Sequence, residues 1–212
     1  MVTPQHAFDR AFERMPLVAI LRGVEPDEVV RIADLLIDAG FTLLEIPLNS
    51  PDPFTSIQRL VRHCPGEVLV GAGTVLRVED ARRLGGLGAR LLVTPNTDPA
   101  VIRAGREAGL VPIIGCMTPS EAFTALNCGA SALKVFPAGR LAPGYAGDIK
   151  AVLPGGTRLL GVGGIGFGQI AAYRAGGYDG FGIGGSLYRP GRPADEVGAL
   201  ARELVARWRS GS

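Results

Sequence analysis

"RLLGVGGIGFGQIAAYRAGGYDGFGIGGS", residues 158–186, holds two apolar runs that each end in paired glycines, "GVGGI" (161–165) and "GIGGS" (182–186), with a helix-like stretch between them. Two folds compete for this segment. Gly161, Gly163 and Gly166 satisfy G-x-G-x-x-G, and Asp179 follows at a distance suited to a ribose contact, the pattern of a dinucleotide-binding half-domain. The segment, however, is the seventh and eighth of eight similar units, with too little chain left to complete such a half-domain. In a (β/α)8 barrel, by contrast, glycine-rich loops after strands seven and eight expose backbone N–H groups that cradle a phosphate. The position of the motif favours the barrel, with the alternative that the glycines are only tight turns.

The rest of the chain repeats the unit. Upstream lie "LVAILRG" (17–23), "LLEIPL" (43–48), "VLVGAGTV" (68–75), "RLLVTP" (90–95), "VPIIGC" (111–116) and "SALKVFP" (131–137), at nearly even intervals. Helical patterns with start and stop signals separate them. "PDEVVRIADLLIDAG" begins at Pro26 and ends at Gly40, with Val29, Ile32, Leu35 and Leu36 on one face. "TPSEAFTALNCGA" offers Thr118 as N-cap with Glu121 three residues on, a capping box. Eight even strand–helix units predict an α/β fold, a TIM barrel with a short N-terminal helix near 4–14, as a single domain over 1–212. An open doubly wound sheet shares the local pattern and is the structural alternative.

Composition narrows the partners. The 212 residues are 47% hydrophobic and 20% charged, with a net charge of +2 and basic residues scattered among acidic ones. Neither a nucleic-acid partner nor a membrane surface is expected. No apolar run approaches the ~20 residues that span a bilayer, and the first 15 residues lack the apolar centre of a secretory signal. Three cysteines, Cys64, Cys116 and Cys128, form no close-spaced pair, which fits a reducing cytoplasm. Two distant histidines, His6 and His63, offer no ligand pair, so no metal and no cofactor are expected.

Strand alternation then selects the residues that face the barrel mouth. Only two lysines occur, and Lys134 lies inside an apolar strand, whereas Lys150 falls in a polar stretch where a solvated charge is expected. With Lys134 inward, Phe136 shares its face, and Leu133 and Val135 turn to the helices. In the second strand Leu43, Glu45 and Pro47 form the inward set. Arg22, Thr74 and Pro95 end strands one, three and four. Active sites of such barrels occupy that end. A desolvated ammonium loses its proton more easily, and the neutral amine can attack a ketone to form a Schiff base. A carboxyl beside it, Glu45, could move protons. The plainer alternatives are a lysine reaching solvent or a structural Lys134–Glu45 ion pair.

With these residues in place, the sequence resembles the bacterial 2-keto-3-deoxy-6-phosphogluconate and 6-phosphogalactonate aldolases. The resemblance rests on "AILRG", "EIPLNSP", "GAGTV", "VTPN", "EAFTAL", "ALKVFPA", "VGGI" and "GIGGSLYRPG", in order from residue 17 to about 191. It implies metal-free class I aldol cleavage of a phosphorylated keto-deoxy sugar acid to pyruvate and D-glyceraldehyde 3-phosphate, by a homotrimer. Carried over position by position, Lys134 is the Schiff-base lysine and Glu45 the acid/base. Thr74, Pro95 and Phe136 line the pyruvyl pocket, and Arg22 holds the carboxylate or the base. Gly163, Gly164, Gly184, Gly185 and Ser186 bind the phosphate.

The two substrates of the resemblance differ only at C4. The gluconate branch commonly carries an arginine after the Glu45 strand and a threonine before the glycine pair of strand seven. Here "PLNS" (47–50) has no arginine and Val162 precedes Gly163, as in the galactonate branch. The galactonate substrate is therefore expected, with the gluconate substrate or dual specificity as the alternative. A phosphosugar isomerase or epimerase on the same barrel, and a non-catalytic phosphometabolite-binding module, are the readings from other classes.

Overall fold

A computed structural model of the protein describes residues 3–211. Helix α1 (Pro4–Arg14) precedes strand β1 (Leu17–Ile20), and the chain then alternates strand and helix. In order these are α2 (Val29–Ala39), β2 (Leu43–Pro47), α3 (Pro53–His63), β3 (Leu69–Gly73), α4 (Val78–Gly86) and β4 (Leu91–Val93). There follow α5 (Pro99–Glu107), β5 (Val111–Cys116), α6 (Pro119–Asn127), β6 (Ala132–Val135), α7 (Tyr145–Lys150), β7 (Leu159–Val162), α8 (Ile170–Ala175), β8 (Gly180–Ile183) and α9 (Ala194–Ser210). All eight strands are parallel and close in sequence order, β8 returning to β1 through Leu17–Phe181, Val18–Gly182 and Ala19–Ile183. The fold is a (β/α)8 TIM barrel, and the open-sheet alternative is excluded by that closure.

Two apolar sets divide along the pleat. Leu44, Ile46, Leu133 and Val135 join the helices in the outer core, while Val18, Ile20, Leu43, Leu69, Val93, Ile113 and Leu160 fill the interior. Glu45 and Lys134 occupy interior positions of β2 and β6. At the bottom, α1 drives Phe8 and Phe12 into the interior set, their ring centroids 5.5 Å apart. Burial of two such rings closes the end away from the mouth and contributes several kcal/mol, at ~1.5–3 kcal/mol each.

Local signals worked where the side chain itself makes the bond. Thr118 accepts the N–H of Glu121 while the Glu121 carboxylate accepts the N–H of Thr118, so the capping box is complete. Gly40 ends α2 at φ +113°, in the left-handed region. Helix α2 starts at Val29 instead of Pro26, because residues 26–28 form a turn first. Leu35 is only half-buried there, and Ala33 joins Val29, Ile32 and Leu36 on the core face. Lys150 differs from expectation too. Its ammonium donates to Asp179 Oδ1 at 2.6 Å, and the other carboxylate oxygen accepts the N–H of Leu159 at 2.7 Å. Asp179, the acid of the G-x-G-x-x-G reading, thus ties α7 to β7.

Candidate active site

Alternation carries each predicted residue to one end of the barrel. β1 hands on to Arg22, β3 to Thr74 and β4 to Pro95, and these line a mouth of about 640 Å³ with Lys134, Phe136, Val162, Gly163, Gly164, Gly184, Gly185 and Ser186. Glu45 lies deeper, in the interior layer shared with Val18, Ile20, Val93, Ile113, Leu160 and Gly182. Ile20, Ile165 and Gly182 also line the mouth and were not singled out from sequence, and Gly166, read there only as part of a G-x-G-x-x-G pattern, lines it as well. Isoleucine and glycine, in a barrel strand or the loop after it, carry no chemical signal that separates a lining from a packing role.

The amine and the carboxyl are both held out of water. Lys134 is 5% exposed and Glu45 1%. Among the described residues the Lys134 ammonium makes no ion pair or hydrogen bond, and Glu45 Oε2 is buried with no hydrogen-bond partner. A structural salt bridge between them is therefore not what keeps them there; they act on each other through the low-dielectric interior. Burial lowers the Lys134 pKa from its ordinary value, Glu45 opposes that shift and Arg22 reinforces it. Burial raises Glu45 to about 7, with Lys134 and Arg22 pulling it back. An amine and a carboxyl shifted towards neutrality can trade protons at ordinary pH. The ammonium nitrogen sits 5.0 Å from the Phe136 ring centroid, so the ring shields one side of it.

The rim is built from backbone. Gly163 and Gly164 adopt φ of +89° and +80°, which a side chain would strain, and a methyl group at 163 would lie 3.0 Å from the Phe136 ring. Among the described residues, none of Gly163, Gly164, Gly184, Gly185 and Ser186 donates its N–H in a turn or loop hydrogen bond. These donors are open to an anion. Tyr188, buried beyond the second glycine pair, donates its hydroxyl to Glu28 and anchors the β8 loop to the start of α2.

Supporting contacts fix the polar residues. The Arg22 guanidinium donates to Asn49 Oδ1, and the N–H of Gly23 donates to Ser50 Oγ at 2.9 Å, so the loops after β1 and β2 are tied to each other. Thr74 holds φ at +55°, a left-handed conformation that is rare for a β-branched residue and concentrates at functional sites. Thr94, fully buried, donates to Asn96 O and accepts the N–H of Gly115, which clamps the Pro95 turn onto β5. Cys116 is buried with its thiol pushed up to about 12 by burial and by Glu121, an inert packing residue. His63 is exposed and paired with Asp34. No group of three or more potential metal-ligating side chains occurs among the described residues, and none of their helices is long and apolar enough to cross a membrane.

A closed barrel that keeps an amine and a near-neutral carboxyl dry under an anion-ready rim is the architecture of a carbon–carbon lyase, an aldolase. Comparison narrows the class. The family model described as KDPG and KHG aldolase matches residues 8–192. A protein of Rhizobium meliloti (strain 1021) named probable 2-dehydro-3-deoxy-6-phosphogalactonate aldolase is 49% identical over 91% of each chain. One from Escherichia coli (strain K12), named 2-dehydro-3-deoxy-6-phosphogalactonate aldolase, is 42% identical over 92% of this chain and 96% of its own. A solved structure described as native KDPGal superposes with a TM-score of 0.91 at 41% identity, over 93% of this chain and 96% of that one. The chain belongs to the KDPG and KHG aldolase family.

Proposed function

We propose that the protein is a Schiff-base aldolase that cleaves 2-dehydro-3-deoxy-6-phosphogalactonate to pyruvate and D-glyceraldehyde 3-phosphate. The observation that carries this reading is Lys134, a buried amine that among the described residues has no counter-ion contact, beneath a rim of backbone donors that those residues leave unused. Two relatives with that activity in their names, matched over nine-tenths or more of each chain, support the choice of substrate.

In this reading the neutral Lys134 amine attacks the C2 carbonyl. The carbinolamine loses its hydroxyl as water after accepting a proton from the Glu45 carboxyl, which leaves the iminium. The Glu45 carboxylate then removes the C4 hydroxyl proton. The C3–C4 bond breaks, its electron pair enters the iminium to form an enamine, and the C4 aldehyde leaves with the phosphate. Glu45 returns the proton to C3, and water hydrolyses the pyruvate iminium to restore the amine. In the rim the backbone N–H groups of Gly163, Gly164, Gly184, Gly185 and Ser186 hold the substrate phosphate, while Thr74, Pro95, Phe136 and Arg22 hold the pyruvyl end. The apolar Val162 at the mouth supports the galactonate configuration. A cytoplasmic location is supported by three free cysteines, and a homotrimer by the family resemblance.

The test is kcat/KM for both C4 epimers on one preparation, read by pyruvate release. A preference for the galactonate substrate is expected. Equal values or a gluconate preference contradict the substrate assignment, and turnover without pyruvate points to an isomerase.

A further inference from the structure

On the face opposite the mouth, a cleft of about 430 Å³ opens between α1 and the N-terminal ends of β2, β3 and β4. That end of a barrel ordinarily serves stability, and Phe8 and Phe12 already plug it. Three arginines line the cleft, Arg10 and Arg14 from successive turns of α1 and Arg90 from the residue before β4. Ala7 and Ala11 on the same helix face present methyl groups only, which leaves the space open.

The three guanidiniums make no ion pair or hydrogen bond among the described residues. The acids of α1 point elsewhere, since Asp9 and Glu13 both pair with Arg158. Like charges at i and i+4 destabilise a helix, and here a third charge converges on the pair. Arg90 cannot swing away at its backbone, because its N–H donates to Val70 O and its carbonyl accepts from Val111 N–H, both at 2.8 Å. Among the described residues that line the cleft, only Glu67, exposed at the lip, opposes them, so the lining keeps an excess of two positive charges (three arginines less one glutamate).

We propose that this cleft binds a small phosphorylated, hydroxyl-bearing metabolite, at a site separate from the catalytic mouth. Guanidinium forks match phosphoryl oxygens in pairs, and a dianion matches the charge excess where one carboxylate would not. The volume falls within the ~300–1,000 Å³ of small-molecule sites. Glu67 supplies an acceptor for a ligand hydroxyl and repels a second acidic group.

The full chain titrated with glycerol 3-phosphate by calorimetry should show two classes of site, the mouth and the cleft. A variant carrying Arg10→Gln, Arg14→Gln and Arg90→Gln should lose one class and keep kcat/KM for aldol cleavage. Glutamine preserves helix propensity, and Arg90→Gln alone, outside the helix, should weaken the same class tenfold or more. One class in the unaltered protein, or a second class that persists in both variants, overturns the site. Glycerate binding the cleft as tightly as glycerol 3-phosphate overturns the phosphoryl assignment. Inorganic phosphate binding as tightly keeps the phosphoryl site and overturns the hydroxyl contact to Glu67.

Discussion

The Glu45 carboxyl fills the space that a side chain at Gly73 would need: a methyl group there would lie 1.7 Å from Oε2. A glycine on β3 thus makes room for the acid on β2, two strands paired through Pro47 and Gly73. Gly73→Ala must push the carboxyl aside. We expect a folded barrel with kcat lowered about 10²-fold or more, the scale of a lost general acid–base. Steady-state kinetics alongside circular dichroism check this, and unchanged kcat in a folded variant would remove Glu45 from the chemistry.

Stability should depend on pH through the same carboxyl. Glu45 rises from 4.5 to about 7 in the folded protein, so the folded state holds its proton more tightly than the unfolded chain. Its contribution is fully present below pH 4.5 and is lost as pH rises through about 7. Relative to Glu45→Gln, the unaltered protein should lose up to about 3 kcal/mol across that window. Lys134, whose pKa is lowered by burial, acts at higher pH, its contribution present above 10.5 and lost as pH falls through the lowered value. Urea unfolding of both proteins at several pH values gives the difference directly; parallel curves would mean that Glu45 is not raised.

Arg22 presses the amine towards neutrality, since its positive charge lowers the Lys134 pKa. Arg22→Ala should move the pH midpoint of pyruvate-adduct formation upwards. Arg22→Lys, which keeps the charge near the site, should move it less. Adduct yield against pH for the three proteins reads the shift, and a midpoint that falls in Arg22→Ala would contradict it.

Val162 packs against the β8 backbone, where a methyl group at Gly182 would lie 2.8 Å from its Cγ2. Val162→Thr exchanges a methyl for a hydroxyl at nearly constant volume. The kcat/KM ratio should shift towards the gluconate epimer by about tenfold or more, from one gained hydrogen bond. An unchanged ratio would place C4 discrimination elsewhere.

Much of this site was legible because a strand has a period of two. One inward residue, Lys134, sets the side of Phe136, and the same rule sets Glu45 against Leu44 and Ile46. Strand ends were less legible. The run of 17–23 extends past Ile20, where β1 stops, because Leu21 is fully buried although it lies outside the strand. Contacts between loops left no trace in spacing, as with Arg22 and Asn49 or Thr94 and Gly115. The arginine cleft was equally hidden, since Arg90 joins Arg10 and Arg14 only when β4 is laid beside α1. For Gly73 a signal existed, a glycine run on the strand after an inward glutamate, and cross-strand register would have found it.

In the proposed mechanism Lys134 forms the covalent bond to substrate. The protein is incubated with pyruvate and sodium borohydride, digested and analysed by mass spectrometry. One pyruvyl group, reduced onto the peptide that contains Lys134 and absent from Lys134→Arg, is the predicted result. No adduct, or an adduct on Lys150, would contradict the account.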